Sequence, residues 1–225
     1  AAQRLPSPEE TQGLIMGRYT GNVCRLCRRE GHKLFLKGRR CESEKCSVDR
    51  RNIPPGSNLR TRPRRLSDYG VHLREKQKVK RIYGVMERQF KRYFIMAERM
   101  KGNTGENLLS ILERRLDNVI DAAGMSSSRP HSRQLINHGH FAVNGRKVDI
   151  ASYMVRVGDV IQARAKDASK KIVADQLELN NDKSAPQWLT VDVAQGTITV
   201  TALPAREDVR FQDIQEQFIV ELCSK

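Results

Sequence analysis

The chain has 225 residues, enough for one large domain or two small ones, and carries 41 Lys and Arg against 26 Asp and Glu, a net charge of +15. That excess goes beyond what solubility requires and points to a polyanionic partner, while aromatic residues make up only 5%. No apolar run approaches the roughly 18 residues of a membrane span, and no strongly amphipathic basic helix with Trp or Phe on one side is expected, so nucleic acid is the better partner than a membrane.

The charge is unevenly placed. Residues 17–101 hold 25 Lys and Arg against 8 Asp and Glu, a net of +17, whereas residues 102–225 are balanced at 15 against 16. Residues 1–15, with Pro6, Pro8, Glu9 and Glu10, are expected to be a disordered extension or an expression remnant, with Met16 as an internal start. Ala1 to Met16 lacks the basic and apolar regions of a signal peptide, which predicts a cytoplasmic, reducing setting where clustered cysteines more often bind metal than pair.

From Gly17 to Arg65 there is little periodicity and no sustained apolar pattern, so burial alone cannot hold this segment. Cys24, Cys27, Cys41 and Cys46 form C-x2-C-x13-C-x4-C, two close pairs and a loop long enough to bring four thiolates round one ion. Zinc is expected, ahead of an iron-sulfur cluster; a redox pair and four free thiols are the alternatives. Metal binding would then replace the missing core. Arg25, Arg28 and Arg29 lie within and beside the first pair, where an ordered metal loop would hold them for phosphate. Cys223 is too distant to join by spacing and reads as a structural thiol. Arg60, Arg62, Arg64 and Arg65 surround Pro63, an extended run suited to a phosphate-lined groove.

Ser67-Asp68 opens a predicted basic helix to about Tyr83, stopped at Gly84, and a second basic helix follows from about Glu87 to Met100. A third, about Glu106 to Ala123, has Leu109, Leu112, Leu116, Val119, Ile120 and Ala123 on one face. Ser128 is expected to cap a fourth helix with Pro130 in its first turn, ending at Gly139. On its wheel Arg129, Arg133, Gln134, Asn137 and His138 form a polar arc opposite Ser132, Leu135 and Ile136.

After Gly139 the period changes to two. Phe141, Val143, Asn144-Gly145 and Val148 predict a tight hairpin with Arg146 and Lys147 at its tip, so helix and hairpin together could grip a folded RNA by backbone and shape. Further strand is expected around Tyr153 to Val160, a short helix near Lys170 to Leu179, and a strand pair from Trp188 to Thr201 around Gln195-Gly196. Phe218 to Leu222 reads as a short strand or a helix end.

These residues resemble the bacterial small-subunit ribosomal protein four family over nearly all of Met16 to Lys225. The resemblance is carried by Met16-Gly17-Arg18-Tyr19-Thr20-Gly21, Cys24-Arg25-Leu26-Cys27, Leu73-Arg74-Glu75-Lys76-Gln77-Lys78, Arg81-Ile82-Tyr83-Gly84, Arg115-Leu116-Asp117-Asn118-Val119, Arg133-Gln134-Leu135-Ile136-Asn137-His138-Gly139-His140 and Val143-Asn144-Gly145. Ser132 stands where the family usually has a packing alanine, and Val85-Met86-Glu87 lacks a serine to cap the second basic helix.

The resemblance implies a non-enzymatic, ribosome-bound protein that binds 16S rRNA early, nucleates assembly of the body of the small subunit and contributes to translational accuracy. It implies contact with small-subunit ribosomal protein five, a position near the path by which mRNA enters, and zinc on the four cysteines. No small-molecule substrate is expected. Arg18, Arg74, Lys78 and Arg81 join the residues named above as expected RNA contacts, with Arg129, Arg133, Gln134, His138, Arg146 and Lys147 in the second module. The expected architecture is α+β: a basic, mostly helical zinc domain over 16–105 and a helix-hairpin RNA-binding domain with a small antiparallel sheet over 106–190. That domain's core lies at about 114–176, and a C-terminal return occupies 191–225. A modifying enzyme carrying a similar helix-hairpin module, a stress or rescue factor and a DNA-binding zinc protein are the rivals.

Overall fold

The computed structural model describes residues 19, 21–56, 65–180 and 183–224. Its elements follow an α+β plan in which two apolar clusters lie on either side of residues 113–116.

The first cluster is built by helices. Helix α3 (Asp68–Ile82) begins where the Ser67 hydroxyl accepts a hydrogen bond from the Gly70 amide at 3.3 Å, and it ends before Gly84. Helix α4 (Glu87–Arg99) starts at Met86 without any side-chain cap, in line with the missing serine. Helix α5 (Thr104–Glu113) is capped by Asn103, whose Oδ1 accepts from the Gly105 amide at 2.9 Å. Val79, Ile82, Phe90, Phe94, Leu108 and Leu112 meet in this cluster, each fully buried large apolar side chain contributing about 1.5–3 kcal/mol.

Ahead of α3 lie α1 (Cys24–Glu30), a 3-10 turn at Gly38–Cys41 and α2 (Ser47–Arg50). This stretch has no apolar centre of its own and lends Cys27, Leu34 and Leu36 to the helical cluster instead. The C-terminal segment returns to the same cluster through Val209, Phe211, Ile214 and Ile219. Its last element is helix α9 (Glu216–Cys223), which resolves the choice between strand and helix.

The expected third helix is two helices. After α5 the backbone turns extended at Arg115 and resumes as α6 (Leu116–Ala122). Tertiary pairing overrides helix periodicity here: the Leu116 amide donates to the Tyr153 carbonyl at 2.9 Å, Asp117 to Ala151 at 3.2 Å, and the Val155 amide to Arg114 at 3.0 Å. Arg115 and Met154 form an isolated antiparallel bridge. The apolar face is shared accordingly, Leu109 and Leu112 going to the first cluster and Leu116, Val119 and Ile120 to the second. The two clusters thus divide at residues 113–116.

The second cluster contains α6, helix α7 (Arg129–Asn137), helix α8 (Asp167–Leu179) and one antiparallel sheet. Its strands β1 (Phe141–Val143), β2 (Arg146–Lys147), β3 (Val160–Ala163), β4 (Leu189–Asp192) and β5 (Thr197–Val200) are ordered β2-β1-β3-β5-β4. Asn144 (φ 49°) and Gly145 (φ 76°) form the β1–β2 turn, which needs two left-handed residues. Asn144 is further held by its side chain, whose Nδ2 donates to Asp159 at 2.9 Å and whose Oδ1 accepts from the Val160 amide at 2.9 Å.

Candidate nucleic-acid interface and metal centre

The four cysteines stand on the short elements ahead of α3. Cys24 and Cys27 lie on α1, Cys41 ends the 3-10 turn, and Cys46 directly precedes α2; the last three of the four are buried. Burial pushes the Cys27 thiol up, and so do the nearby Cys41, Cys24 and Cys46, while the Leu34 amide pulls it down. Cys41 is likewise pushed up by burial, against a hydrogen bond from the Lys37 amide at 3.4 Å. The thiols thus lie near enough to disfavour each other's charge. Among the described residues no three His, Cys, Asp or Glu side chains form a ready-made metal-holding group. The donor set itself suits zinc: four sulfurs, two receiving backbone N–H groups that favour thiolate. Cys223 packs against the helical cluster, and burial raises its thiol.

The basic residues divide into two populations. Arg25, Arg29 and Arg65 are exposed. Arg28 is half-buried, and its Nε is buried without a hydrogen-bond partner among the described residues. Arg18, Arg60, Arg62 and Arg64 lie outside the described residues.

On α3 the expected RNA contacts turn inward. Arg74 and Arg81 both reach the Glu30 carboxylate, Arg74 at 3.4 Å. Lys78 is only 5% exposed, donates to the Asp213 carbonyl at 2.9 Å and pairs with Glu75 and the Asp213 carboxylate. These three cations bind the chain to itself because burying an ammonium or guanidinium without a partner is far costlier than pairing it.

Arg129, expected on the polar arc of α7, turns inward as well: it is 8% exposed, its Nε donates to Asn118 Oδ1 at 2.6 Å, and its guanidinium lies over the Tyr83 and Phe211 rings at 5.2 and 5.4 Å. Below it, Glu113 accepts from the Tyr83 hydroxyl at 2.6 Å and from Asn118. Burial pushes the Glu113 carboxyl up, although Arg129, Tyr83 and Asn118 all pull it down. Arg115, fully buried, grips Asp117 with two nitrogens at 3.1 and 2.6 Å and donates to the Tyr93 hydroxyl at 2.7 Å. The charged residues at the α5–α6 break and the start of α7 therefore join the two clusters.

Most of the remaining predicted contacts on α7 and the hairpin are exposed. Gln134, Asn137 and His138 are exposed on α7, and Arg146 and Lys147 are exposed on the hairpin. A side chain at Gly139 would strike Lys147, which shows how closely the hairpin tip lies over the end of α7. Arg133 is half-buried, donating to the Gly84 carbonyl at 3.3 Å with Asp117 at 3.9 Å. Ser128 occupies the cap position of α7 without a side-chain cap bond. Ser132, in the place of a packing alanine, is fully buried, and its hydroxyl meets Ser126 Oγ at 2.5 Å.

Sequence reasoning missed Arg164, which donates to the Gly139 carbonyl at 3.3 Å and extends this patch from the end of β3. Its signal was weak: a single arginine after a four-residue strand. His140 beside it is pushed down by burial first, then by His138, Arg164 and Lys166, and its Nδ1 lies 3.0 Å from Ser169 Oγ. The arrangement offers amides, an imidazole and cations around the end of α7 and the hairpin, groups suited to phosphate, sugar and base edges.

Residues 18–113 match the family model described as ribosomal protein S4/S9 N-terminal domain, and residues 114–161 match the S4 domain. The junction between these matches coincides with the break between α5 and α6. Among curated relatives, a protein of Pelobacter propionicus is 58% identical over 212 residues, one of Geobacter sp. 55% over 210, and one of Halothermothrix orenii 53% over 210. Each is described as small ribosomal subunit protein uS4, and each alignment covers 93% of this chain and 100% of the relative.

Proposed function

The chain belongs to the uS4 family of small ribosomal subunit proteins, and from that premise we propose that it binds 16S rRNA directly as a structural constituent of the small subunit. In this role it nucleates assembly of the subunit body and contributes to translational accuracy. The observation that carries the proposal lies at the end of α7 and the β1–β2 hairpin: Gln134, Asn137, His138, Arg146 and Lys147 are all exposed there, and the Lys147 side chain lies against Gly139. Cations here neutralise phosphate, and the amides and imidazole meet sugar and base edges of a folded RNA.

Zinc on Cys24, Cys27, Cys41 and Cys46 belongs to the same proposal. It would supply a fixed point for a segment that has no apolar centre of its own among the described residues and lends Cys27, Leu34 and Leu36 to the helical cluster, and so hold Arg25, Arg28 and Arg29 in place. Small-subunit ribosomal protein five and mRNA near its path into the subunit are the further partners proposed.

The test is binding of the full-length chain to 16S rRNA across a salt series, before and after chelation, with metal analysis of the purified protein. One zinc per chain, steep loss of affinity with salt and weaker binding after chelation are expected. Affinity that is flat between low and moderate salt would remove the phosphate mechanism; full affinity of metal-free protein would remove the zinc from it.

A further inference from the structure

The hairpin tip at Asn144 and Gly145, the one Asn-Gly pair in the sequence, is held by more than a turn requires. A two-residue hairpin turn needs left-handed backbone at both positions, which φ values of 49° and 76° supply. The Asn144 side chain is bound in addition. Its Nδ2 donates to Asp159 Oδ1 at 2.9 Å, and its Oδ1 accepts from the Val160 amide at 2.9 Å. Asp159 is itself only 8% exposed, and its Oδ2 accepts from the Arg156 amide at 2.8 Å.

Asparagine followed by glycine is the pair most prone to lose its side-chain amide, because the next backbone nitrogen can reach the carboxamide carbon and glycine has no side chain to obstruct it. The nucleophile in this hairpin is open. Gly145 is exposed, a Cβ built on it would meet nothing within 4 Å, and its N–H has no hydrogen-bond partner among the described residues. The electrophile is restrained instead. Both polar atoms of the Asn144 carboxamide are tied to Asp159 and to the first residue of β3, so turning Cγ onto the Gly145 nitrogen means breaking both bonds.

We propose that Asn144 is a deamidation site, and that Asp159 and the Val160 amide hold the reaction in check. When the two bonds open, the Gly145 nitrogen gives up its proton and bonds to Asn144 Cγ; the Cγ–Nδ2 bond breaks, and Nδ2 leaves with that proton as ammonia. Water then opens the five-membered succinimide at either carbonyl, giving aspartate or isoaspartate. One water enters, one ammonia leaves, and nothing is oxidised or reduced. The product undoes the hairpin that made it slow to form. A carboxylate faces Asp159 where a hydrogen bond stood, and isoaspartate adds a backbone carbon to a turn built for two residues.

The experiment incubates full-length wild type, Asp159→Ala and Asp159→Asn under native conditions at mildly alkaline pH, with wild type also in guanidinium chloride. Conversion at Asn144 is followed by fragment-ion mass spectrometry, and isoaspartate by methyl transfer from S-adenosylmethionine with an isoaspartyl methyltransferase. Native wild type should react about 30-fold more slowly than the denatured chain, or slower still, since one neutral and one charge-assisted hydrogen bond must open first. Asp159→Ala should react about 10- to 100-fold faster than native wild type at Asn144. Asn118 and Asn180, buried elsewhere in the fold, should keep their wild-type rates. In Asp159→Asn a side-chain oxygen still accepts from Nδ2, so most of the protection should return.

Equal rates for native and denatured wild type would overturn the inference, even if Asp159→Ala failed to fold. A folded Asp159→Ala with the wild-type rate would overturn it too, as would Asp159→Asn reacting as fast as Asp159→Ala. A rise shared by Asn118 and Asn180 would mark general loosening of the fold and remove Asp159 as the guard.

Discussion

Replacing Arg129 with methionine separates a structural arginine from an RNA-binding one. The methionine stem can fill much of the space between the Tyr83 and Phe211 rings, so the substitution chiefly removes charge. Lost with it are a charge-assisted hydrogen bond to Asn118 at 2.6 Å, of about 1.5–3 kcal/mol, and two desolvated cation–π contacts of about 0.5–2 kcal/mol each. Asp121, 4.0 Å away, and the buried Glu113 also lose their cation. These terms are not additive, and breaking a buried ion pair costs about 3–5 kcal/mol as a whole. With a urea dependence of about 2 kcal/mol per molar, the unfolding midpoint should drop by about 1.5–2.5 M. The sign of its pH dependence follows from Glu113. A carboxyl whose folded pKa is raised contributes stability that is fully present below its unfolded value and is lost as pH rises through the folded one. Removing Arg129 raises that folded pKa further, so the deficit of the variant should shrink as the pH is lowered, once Glu113 is protonated. Well below the midpoint, rRNA affinity should match wild type. A midpoint shift under about 0.5 M together with tenfold weaker rRNA binding would refute the internal role of Arg129.

Gly38→Ala should destabilise the protein by at least about 1–2 kcal/mol in chemical unfolding, because Gly38 has φ 57° and an added Cβ would run into the Ser127 carbonyl; a neutral result would show that the 3-10 turn and the loop before α7 do not meet. Asn144→Ala should lower stability by about 1–3 kcal/mol, since it removes the bonds to Asp159 and to the Val160 amide and leaves alanine at φ 49°. Its rRNA affinity should fall as well if the Arg146–Lys147 tip is set by that turn. Against the upward push of burial, hydrogen bonds from Lys76 and Lys80 hold the Glu87 carboxyl below its ordinary 4.5. Its stabilisation is therefore complete above the unfolded value and lost as pH falls through the folded one. Glu87→Gln should flatten the acid limb of a stability–pH profile below about pH 5, and an unchanged limb would count against the Lys76–Glu87–Lys80 link.

Much of this molecule was legible from local chemistry. Ser67 and Gly84 mark the ends of α3 because a hydroxyl acceptor and a left-handed glycine act within a turn of themselves. The Asn144-Gly145 pair specifies its hairpin for the same reason, and the spacing of Cys24, Cys27, Cys41 and Cys46 speaks for a metal without reference to any distant residue. Residues 106–123 read as one long helix because their apolar period is continuous through Arg115, while the cause of the break, the backbone of residues 151–155, lies some forty positions away.

Charge shows the same division most clearly. Composition alone placed a net of +17 in residues 17–101 and so determined that the chain meets a polyanion. It could not tell which cations are free to do so. Arg74 and Arg81 are spent on Glu30, 44 and 51 residues earlier, Lys78 on Asp213, 135 residues later, and Arg129 on groups drawn from both clusters. A cation's availability depends on which carboxylate the fold brings within hydrogen-bonding distance, and a Coulomb partner leaves no mark in the residues beside it. Sequence determined the sign and location of the charge; only the tertiary structure decided that α3 and α7 spend their cations inward while α4 and the hairpin present theirs to solvent.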